Sequence, residues 1–422
     1  MSNFKLCTVI GAGASGLIAS HVMRRRGKGV CLLEASDRVG GKIHTVRSDG
    51  WTIEMGPAGW LDHEPEWHKL CEEVGLGVET SVAGDGERLL LKGGKLHAIP
   101  SGKLGLLRAS FLSPAGRLRL CLEPFLPRRA GDPARSITAD ESVWEFGRRR
   151  FGKEVASTLL DAAASGLFAG DSKTMSFPAA FPHLAAAEKK HGSLVRAAWK
   201  GTAPSDALCT SEGGLQNFSE RLAEGLGSSL QLNAPVDSLR LENGQWIATS
   251  KGEALSQSQT VFSTAPAGAL VQMLGHAAPP ELRTFAETLV TTSLRSIPFR
   301  FDESAILRPG KGFGILAPSS ENAPFLNIQF THSIFPSQVP PGKALFRALV
   351  RGKESQGDRS LSEETQQIPI YTLGHLERLA AAEQAVARAL PGLYLGGDSF
   401  FGVGLNPALR RAMLCADRIC NT

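Results

Sequence analysis

The stretch "CTVIGAGASGLIASHVMRRRGKGVCLLEASDRVGG", Cys7 to Gly41, constrains this chain more than any other. A β-rich run is followed by Gly11, Gly13 and Gly16 in the spacing G-x-G-x-x-G, then by a helical pattern, then by a second apolar run ending at Glu34. The glycines have separate duties: Gly11 permits a tight turn, Gly13 lets a pyrophosphate approach the backbone, and Gly16 lets the helix pack on the strand. The helix N-terminus turns its partial positive charge toward the same place. Glu34 follows the first glycine by 34 − 11 = 23 residues, where a carboxylate accepts both hydroxyls of a ribose. A glycine triplet alone would fit any turn before a helix. With strand, helix and acid in register, the unit predicts a Rossmann-type dinucleotide site.

The residues after Glu34 select the dinucleotide. In "ASDRVGGKIHT", Arg38 can neutralise a phosphate, and Gly40 with Gly41 allow a second close backbone approach. Nicotinamide-binding units usually lack this extension, so FAD is favoured. The C-terminal "PGLYLGGDSFFGVGLNPALRRAMLCADRI" supports it independently as strand, glycine loop and helix, with Asn406 expected at the N-cap and Pro407 at the first helical position. A helix so placed directs its positive end into the loop, and the pyrimidine edge of a flavin gains negative charge on reduction. Asp398 can reach a ribityl chain or simply close the turn.

A chain of 422 residues accommodates two or three domains. Its seven cysteines are odd in number and contain no C-x-x-C pair, so neither a disulfide framework nor a metal site is expected. No apolar run reaches the roughly 18 residues of a spanning helix, and the first strand is expected to begin at Phe4, leaving no room for a leader. A cytoplasmic chain is the expectation. Charge is distributed unevenly: from Gly102 to Gly131, Lys103, Arg108, Arg117, Arg119, Arg128 and Arg129 stand against Glu123 alone, so 6 − 1 = +5, while the whole chain is 46 − 41 = +5. The excess is a local device for something anionic. No aromatic-interleaved basic patch accompanies it, which argues against nucleic acid.

Further motifs carry a resemblance. "LLEASDRVGGKIHT", "EMGPAGW" with Gly56, "EGGLQNFSERL", "VFSTAPAGAL" and "GGDSFFGVG" with Gly402 and Val403 resemble the FAD-dependent amine oxidase and desaturase superfamily. "GERLLLKGGKLHAIPSG", "GLFAGDSKTMSFPAAFPHLAAAEKKHGSL", "KGFGILAPS", "FTHSIFP" and "IPIYTLGHLERL" resemble its oxygen-dependent protoporphyrinogen oxidase branch, in the same order over nearly the whole chain. The resemblance implies an α/β plus α+β protein: a discontinuous Rossmann-type FAD-binding domain (1–80, 205–265 and 385–422), a mixed substrate-binding domain (81–85 and 266–384) and a helical membrane-binding insertion (86–200). Within that insertion, Asp140 is expected to cap a helix carrying Val143, Trp144 and Phe146.

The resemblance also implies roles. Arg88 matches an arginine that pairs with a substrate propionate, a carboxylate that a guanidinium can grip with two parallel hydrogen bonds. Leu316 and Phe330 match positions that sandwich a macrocycle ring, although core packing alone would explain apolar residues in strands. Gly166 matches a glycine close to the pocket, and Val236 should present its backbone to the adenine. The implied reaction is a stepwise six-electron oxidation of protoporphyrinogen IX to protoporphyrin IX, with molecular oxygen as acceptor and hydrogen peroxide as coproduct. No residue reads as a convincing general base; His375 comes nearest and reads better as structural. The implied partners are a homodimer mate, a ferrochelatase and the inner face of a membrane, where cations near anionic lipid and buried Leu and Phe side chains would hold the protein peripherally.

Three features depart from the family pattern: Ile370 replaces a glutamine in "QIPIY", Trp60 replaces a common phenylalanine, and the segment between Arg351 and Ile368 is short and polar. Two rival readings remain open. One is the same chemistry on coproporphyrinogen III, and the other is a redox-silent FAD-binding tetrapyrrole carrier.

Overall fold

The computed structural model describes residues 6–81, 87–102, 105–127, 140–200, 207–306, 312–352 and 364–421. Its centre is a five-stranded sheet in the order Leu230–Gln231, Gly29–Leu33, Leu6–Ile10, Thr260–Ser263, Leu393–Leu395. Every neighbouring pair is parallel. Strands from the beginning, middle and end of the chain therefore lie side by side. Such strands are covered on both faces and so read as continuous apolar runs; Cys7, Val9 and Leu32 are fully buried. One layer holds the helices Ala14–Arg25, Leu215–Leu226 and Leu405–Cys420, whose buried side chains share one core with the sheet. On the other side lies an antiparallel meander, Ser238–Glu242, Gln245–Ser250 and Glu253–Ser258. Its first turn is Asn243-Gly244 with φ of 51° and 76°, the paired positive values that a two-residue hairpin requires.

The second sheet has seven strands in the order Glu364–Ile370, Val290–Asp302, Lys343–Arg351, Asn327–Phe330, Gly312–Leu316, Glu87–Lys92, Lys95–Ile99. The hairpin Glu87–Ile99 joins this sheet through Gly312–Leu316. The helical region consequently starts after Ile99 rather than at residue 86, because "ERLLLK" satisfies its backbone against the strands on either side.

Beyond Ile99 come the helices Pro114–Leu122, Val143–Phe151, Asp161–Phe168, Pro182–His191 and Leu194–Trp199. They are stapled by Arg150, whose Nε donates to Glu123 Oε1 at 2.8 Å with both side chains fully buried, and by Ser193, whose hydroxyl donates to the same carboxylate. Two buried charges are tolerable only when paired and further hydrogen-bonded, as these are. The only acid of the basic stretch is thus spent internally. So are two of its cations: Arg117 donates to Ala109 O at 3.1 Å and Arg119 to Arg149 O at 2.6 Å. Lys103, Arg128 and Arg129 lie outside the described residues. What the helix Pro114–Leu122 and the short 3-10 turn Glu123–Phe125 after it turn outward is apolar, with Leu118, Leu122 and Phe125 exposed by 62%, 46% and 77%. No helix among the described residues is long and apolar enough to cross a membrane.

Two caps differ from expectation. The helix Val143–Phe151 is capped by Ser142 in a reciprocal box with Glu145, while Asp140 instead accepts from Ser176 Oγ at 2.7 Å and Gly374 N at 2.6 Å. A serine three residues before a glutamate is the stronger signal. The helix Leu405–Cys420 begins after Gly404, at φ +107°, and Asn406 lies inside its first turn, donating to Leu61 O at 2.8 Å.

Candidate functional site

The glycine turn after Leu6–Ile10 is shaped by backbone contact. A Cβ on Gly16 would lie 1.9 Å from the Gly11 carbonyl oxygen, and one on Gly11, whose φ is +95°, would lie 2.6 Å from Thr264 Oγ1. The second pair closes on the first: Gly13 bridges Gly40, Gly40 N donates to Ala12 O at 2.8 Å, and a Cβ on Gly41 would sit 3.1 Å from Gly13 Cα. Two loops 27 residues apart (40 − 13) thus form one cradle lined by main chain at the start of a 12-residue helix. Such a cradle fits a pyrophosphate, which needs N–H donors and no intruding side chains.

Glu34 stands at its mouth, accepting from Ala12 N at 2.6 Å through one oxygen and from Ser36 N and Oγ at 2.9 and 2.8 Å through the other. Arg38 donates to Ile43 O at 2.9 Å and Gly41 O at 3.0 Å, which tethers the second glycine pair. The chain approaching half-buried Val236 is lashed alongside by Asn233 N to Ser36 O at 2.9 Å and Ala234 N to Glu34 O at 2.8 Å. Gly11, Gly13, Gly16, Glu34, Arg38, Gly40, Gly41 and the approach to Val236 are therefore brought to one end of the parallel sheet.

Gly56 and the loop carrying Asp398, Gly402 and Val403 converge on the Lys42 segment from the other direction. A Cβ on Gly56 would fall 1.9 Å from Lys42 O, and Lys42 forms an ion pair with Asp398. Tyr371, at the end of the outermost strand of the seven-stranded sheet, ties this loop at two points: its hydroxyl donates to Asp398 O and accepts from Gly402 N at 2.7 Å. His375 stacks on that phenol at 3.9 Å between ring centroids and lies 3.3 Å from Phe400 O. Burial depresses its pKa to about 4, so it is neutral at ordinary pH and locked behind the loop. A cavity of about 200 Å³ adjoins the loop, walled by Phe168, Tyr371, His375, Phe401, Val403 and Arg410.

The seven-stranded sheet sorts the remaining residues by face, because side chains alternate along a strand and directly opposed residues share a side. Leu316 is opposite Asn327, and Asn327 is opposite Leu349. One row along, Arg88, Gly314, Gln329 and Arg347 lie level with one another. All of these share one face. Gly166 reaches that face from the helix Asp161–Phe168: a Cβ there would meet Leu316 Cδ2 at 2.8 Å, and its carbonyl accepts from Asn327 Nδ2. A register shift between Gly312 and Gly314 interrupts the pairing at Phe313, and the Arg88 guanidinium lies over its ring at 4.4 Å.

Phe330 does not belong there. It is opposite Phe346 on the reverse face, 5.2 Å from its ring, and clusters with His332. A one-residue step along a strand moves a side chain through the sheet, so Gln329 and Leu349, not Phe330, accompany Leu316.

Arg347, which no sequence motif marks, couples the two halves. It is 3% exposed and donates to Glu54 O at 2.5 Å, to Gly56 O at 2.8 Å and to Gln329 Oε1. Burial lowers its pKa to about 10, against the pull of Glu54. Nothing in "ALFRALV" distinguishes such an arginine from a surface cation. Tyr371, by contrast, lies inside the family-like "IPIYTLGHLERL", and only its partners are hidden in the sequence.

Comparison with known proteins bears on the whole chain. Residues 14–367 match the model of a family described as flavin-containing amine oxidoreductase. A bovine protein named protoporphyrinogen oxidase is 32% identical over 482 aligned residues, covering 98% of each chain. A Bacillus subtilis protein named coproporphyrinogen III oxidase is 28% identical over 95% of each. A crystal structure from Exiguobacterium sp. 255-15, provisionally named a protoporphyrinogen oxidase, superposes with a TM-score of 0.81 at 25% identity, covering 100% of this chain and 99% of the other.

Proposed function

Since this chain belongs to the flavin-containing amine oxidoreductase family and is an FAD-dependent oxidoreductase, we propose that it oxidises protoporphyrinogen IX to protoporphyrin IX with molecular oxygen as acceptor. Six electrons and six protons leave the macrocycle, three oxygen molecules are consumed, and three hydrogen peroxide molecules form. The observation that carries this reading is the single sheet face that joins Arg88, Leu316 and Gly166 and abuts the Gly56 segment through Arg347. A cation, an apolar surface and a glycine at which an added methyl would displace the Leu316 tip suit a flat, greasy ring edged with carboxylates.

When bound, FAD supplies the two-electron acceptor chemistry and its return to oxygen. Gly11, Gly13, Gly16, Gly40 and Gly41 would hold its pyrophosphate, Glu34 and the Val236 backbone its adenosine half, and Gly56, Asp398, Gly402 and Val403 its ring end. The protein's own part is orientation. Arg88 would anchor a carboxylate, Leu316 and Leu349 would press on the ring, and the helix Asp161–Phe168 would exclude water. No side chain on this face is needed as a base, since the ring nitrogens and solvent can carry protons.

We place the FAD-binding domain at 1–80, 205–265 and 385–422, the substrate sheet at 87–99 and 266–384, and a membrane-docking helical region between them in the chain. The exposed Leu118, Leu122 and Phe125, spaced i, i+4 and i+7, support peripheral attachment to a membrane surface. Each would contribute roughly 1.5–3 kcal/mol when buried in lipid. Co-sedimentation with anionic vesicles should fall at least tenfold in a Leu118→Ser, Phe125→Ser double variant.

The functional test is a porphyrin-fluorescence assay in detergent with added FAD, comparing protoporphyrinogen IX and coproporphyrinogen III against autoxidation without enzyme. A protoporphyrin signal well above both sustains the proposal. Coproporphyrinogen III is the second reading: its additional carboxylates could use Arg351, which stands two residues along the strand from Leu349 and donates to Ala169 O at 2.6 Å. Yellow protein that turns over neither substrate would indicate a carrier.

A further inference from the structure

A porphyrinogen ring presents four pyrrole N–H donors and no ring acceptor, so a site that orients it needs oxygen atoms facing the ring. The strand residue opposite Leu316, Asn327, holds a buried oxygen without a partner among the described residues. Asn327 is only 5% exposed, and its Nδ2 donates to the carbonyl of Gly166. That bond fixes which end of the amide is which, because a carbonyl can only accept. Among the described residues, the remaining Oδ1 is buried and has no hydrogen-bond partner. Its cross-strand neighbours are Leu316 and Leu349, which offer no donor. A buried acceptor left unpaired is costly, and such an atom in a native fold calls for a partner that the protein itself does not supply.

We propose that Asn327 is a substrate-positioning residue whose Oδ1 accepts a hydrogen bond from a ring N–H of the bound tetrapyrrole. This rests on the tetrapyrrole reading of the site and names an atom that makes it work. The Gly166 carbonyl is already engaged by Asn327 Nδ2, so of these two oxygens it is the amide Oδ1 that is left to accept. Because the bond lies on the ring rather than on a propionate, it sets the seating of the macrocycle, whereas Arg88 would hold its edge.

The test uses the FAD-loaded protein and two stable ligands, protoporphyrin IX and its nickel(II) complex, titrated by tryptophan quenching. The complex keeps both carboxylates but has no N–H. The wild-type protein is expected to prefer the free base by about three- to tenfold, the worth of one hydrogen bond. Asn327→Leu should abolish that preference while leaving affinity for the nickel complex within about twofold. Asn327→Ala, which removes the acceptor without adding bulk, should do the same if the leucine variant folds poorly. Arg88→Gln should weaken both ligands alike. An unchanged preference in the Asn327 variants overturns the assignment, as does a parallel loss of both affinities, which would mark a packing role. If wild-type protein binds neither porphyrin, the tetrapyrrole reading itself falls, and Arg88→Gln will have nothing to change.

Discussion

Lys42 and Asp398, 356 residues apart in the sequence, form an ion pair that joins the loop after the second glycine pair to the loop before the last helix. Both side chains are about a third exposed, at 39% and 30%, so solvent screens the pair and it contributes ~0.2–1 kcal/mol. Its consequence is local. Lys42→Met should weaken FAD binding by roughly two- to fivefold, measured by flavin-fluorescence titration, with the effect shrinking at high salt.

Tyr371 is a stronger tie on the same loop, through Asp398 O and Gly402 N. Tyr371→Phe keeps the ring stacked on His375 and removes both hydrogen bonds, leaving a carbonyl and an N–H of two half-buried residues without this partner. A loss of ~1–3 kcal/mol is expected. Differential scanning of apo and FAD-loaded protein should show the larger drop in Tm for the loaded form.

The face assignment separates Gln329 from Phe330 sharply. Phe330→Ala empties an aromatic cluster and should destabilise the protein by ~3–5 kcal/mol, with KM unchanged at a temperature where the variant is folded. Gln329→Ala takes an acceptor from buried Arg347 and should cost less stability, ~1–3 kcal/mol, while raising KM severalfold. Denaturant melts with steady-state kinetics on both variants decide the matter, and a reversed pattern would return Phe330 to the site.

At Gly166 an added methyl would meet Leu316 Cδ2 at 2.8 Å. The leucine tip can turn aside, and alanine gains ~1 kcal/mol of helix propensity over glycine. Gly166→Ala should therefore fold about as well as the wild type. The displaced leucine then intrudes on the sheet face, and kcat/KM should drop at least tenfold with most of the change in KM.

Glu54 predicts a pH dependence. Its carboxylate is 4% exposed and accepts from Leu215 N at 2.7 Å and Thr45 Oγ1 at 2.9 Å. Burial pushes its pKa from 4.5 up to about 7, although these donors and Arg347 pull the other way. A folded-state value above the unfolded one means that the native protein holds the proton longer. The stability from this group is complete below the unfolded value of 4.5 and is lost as pH rises through about 7. Glu54→Gln should gain on the wild type in Tm between about pH 5 and pH 8 and run parallel to it beyond. Equal slopes across that window would contradict the shift.

Local rules suffice wherever a residue's duty depends on its near neighbours. Gly11, Gly13 and Gly16 are legible because a turn, a phosphate approach and a helix contact each demand a missing Cβ within six residues. The parallel sheet is legible because strands covered on both faces are nearly continuous apolar runs, broken here by small hydroxyls such as Thr8 and Ser263. Caps are intermediate. Ser142 with Glu145 is as plain a pattern as Asp140, and only the partners that Asp140 finds in Ser176 and Gly374 decide between them.

Read alone, the sequence establishes a dinucleotide cradle, a family resemblance and the residue types of a tetrapyrrole site. Which of those residues face one another is settled only in the folded chain. Phe330 and Gln329 are adjacent in the chain, and only the register with Gly312–Leu316 and Lys343–Arg351 sends one to the reverse face and the other toward Arg347. Arg347 itself looks like any strand cation until the fold buries it against Gly56. The physical reason is common to both cases: side-chain direction in a sheet and the partner of a buried charge are set by segments tens to hundreds of residues away, whose pairing no local pattern encodes.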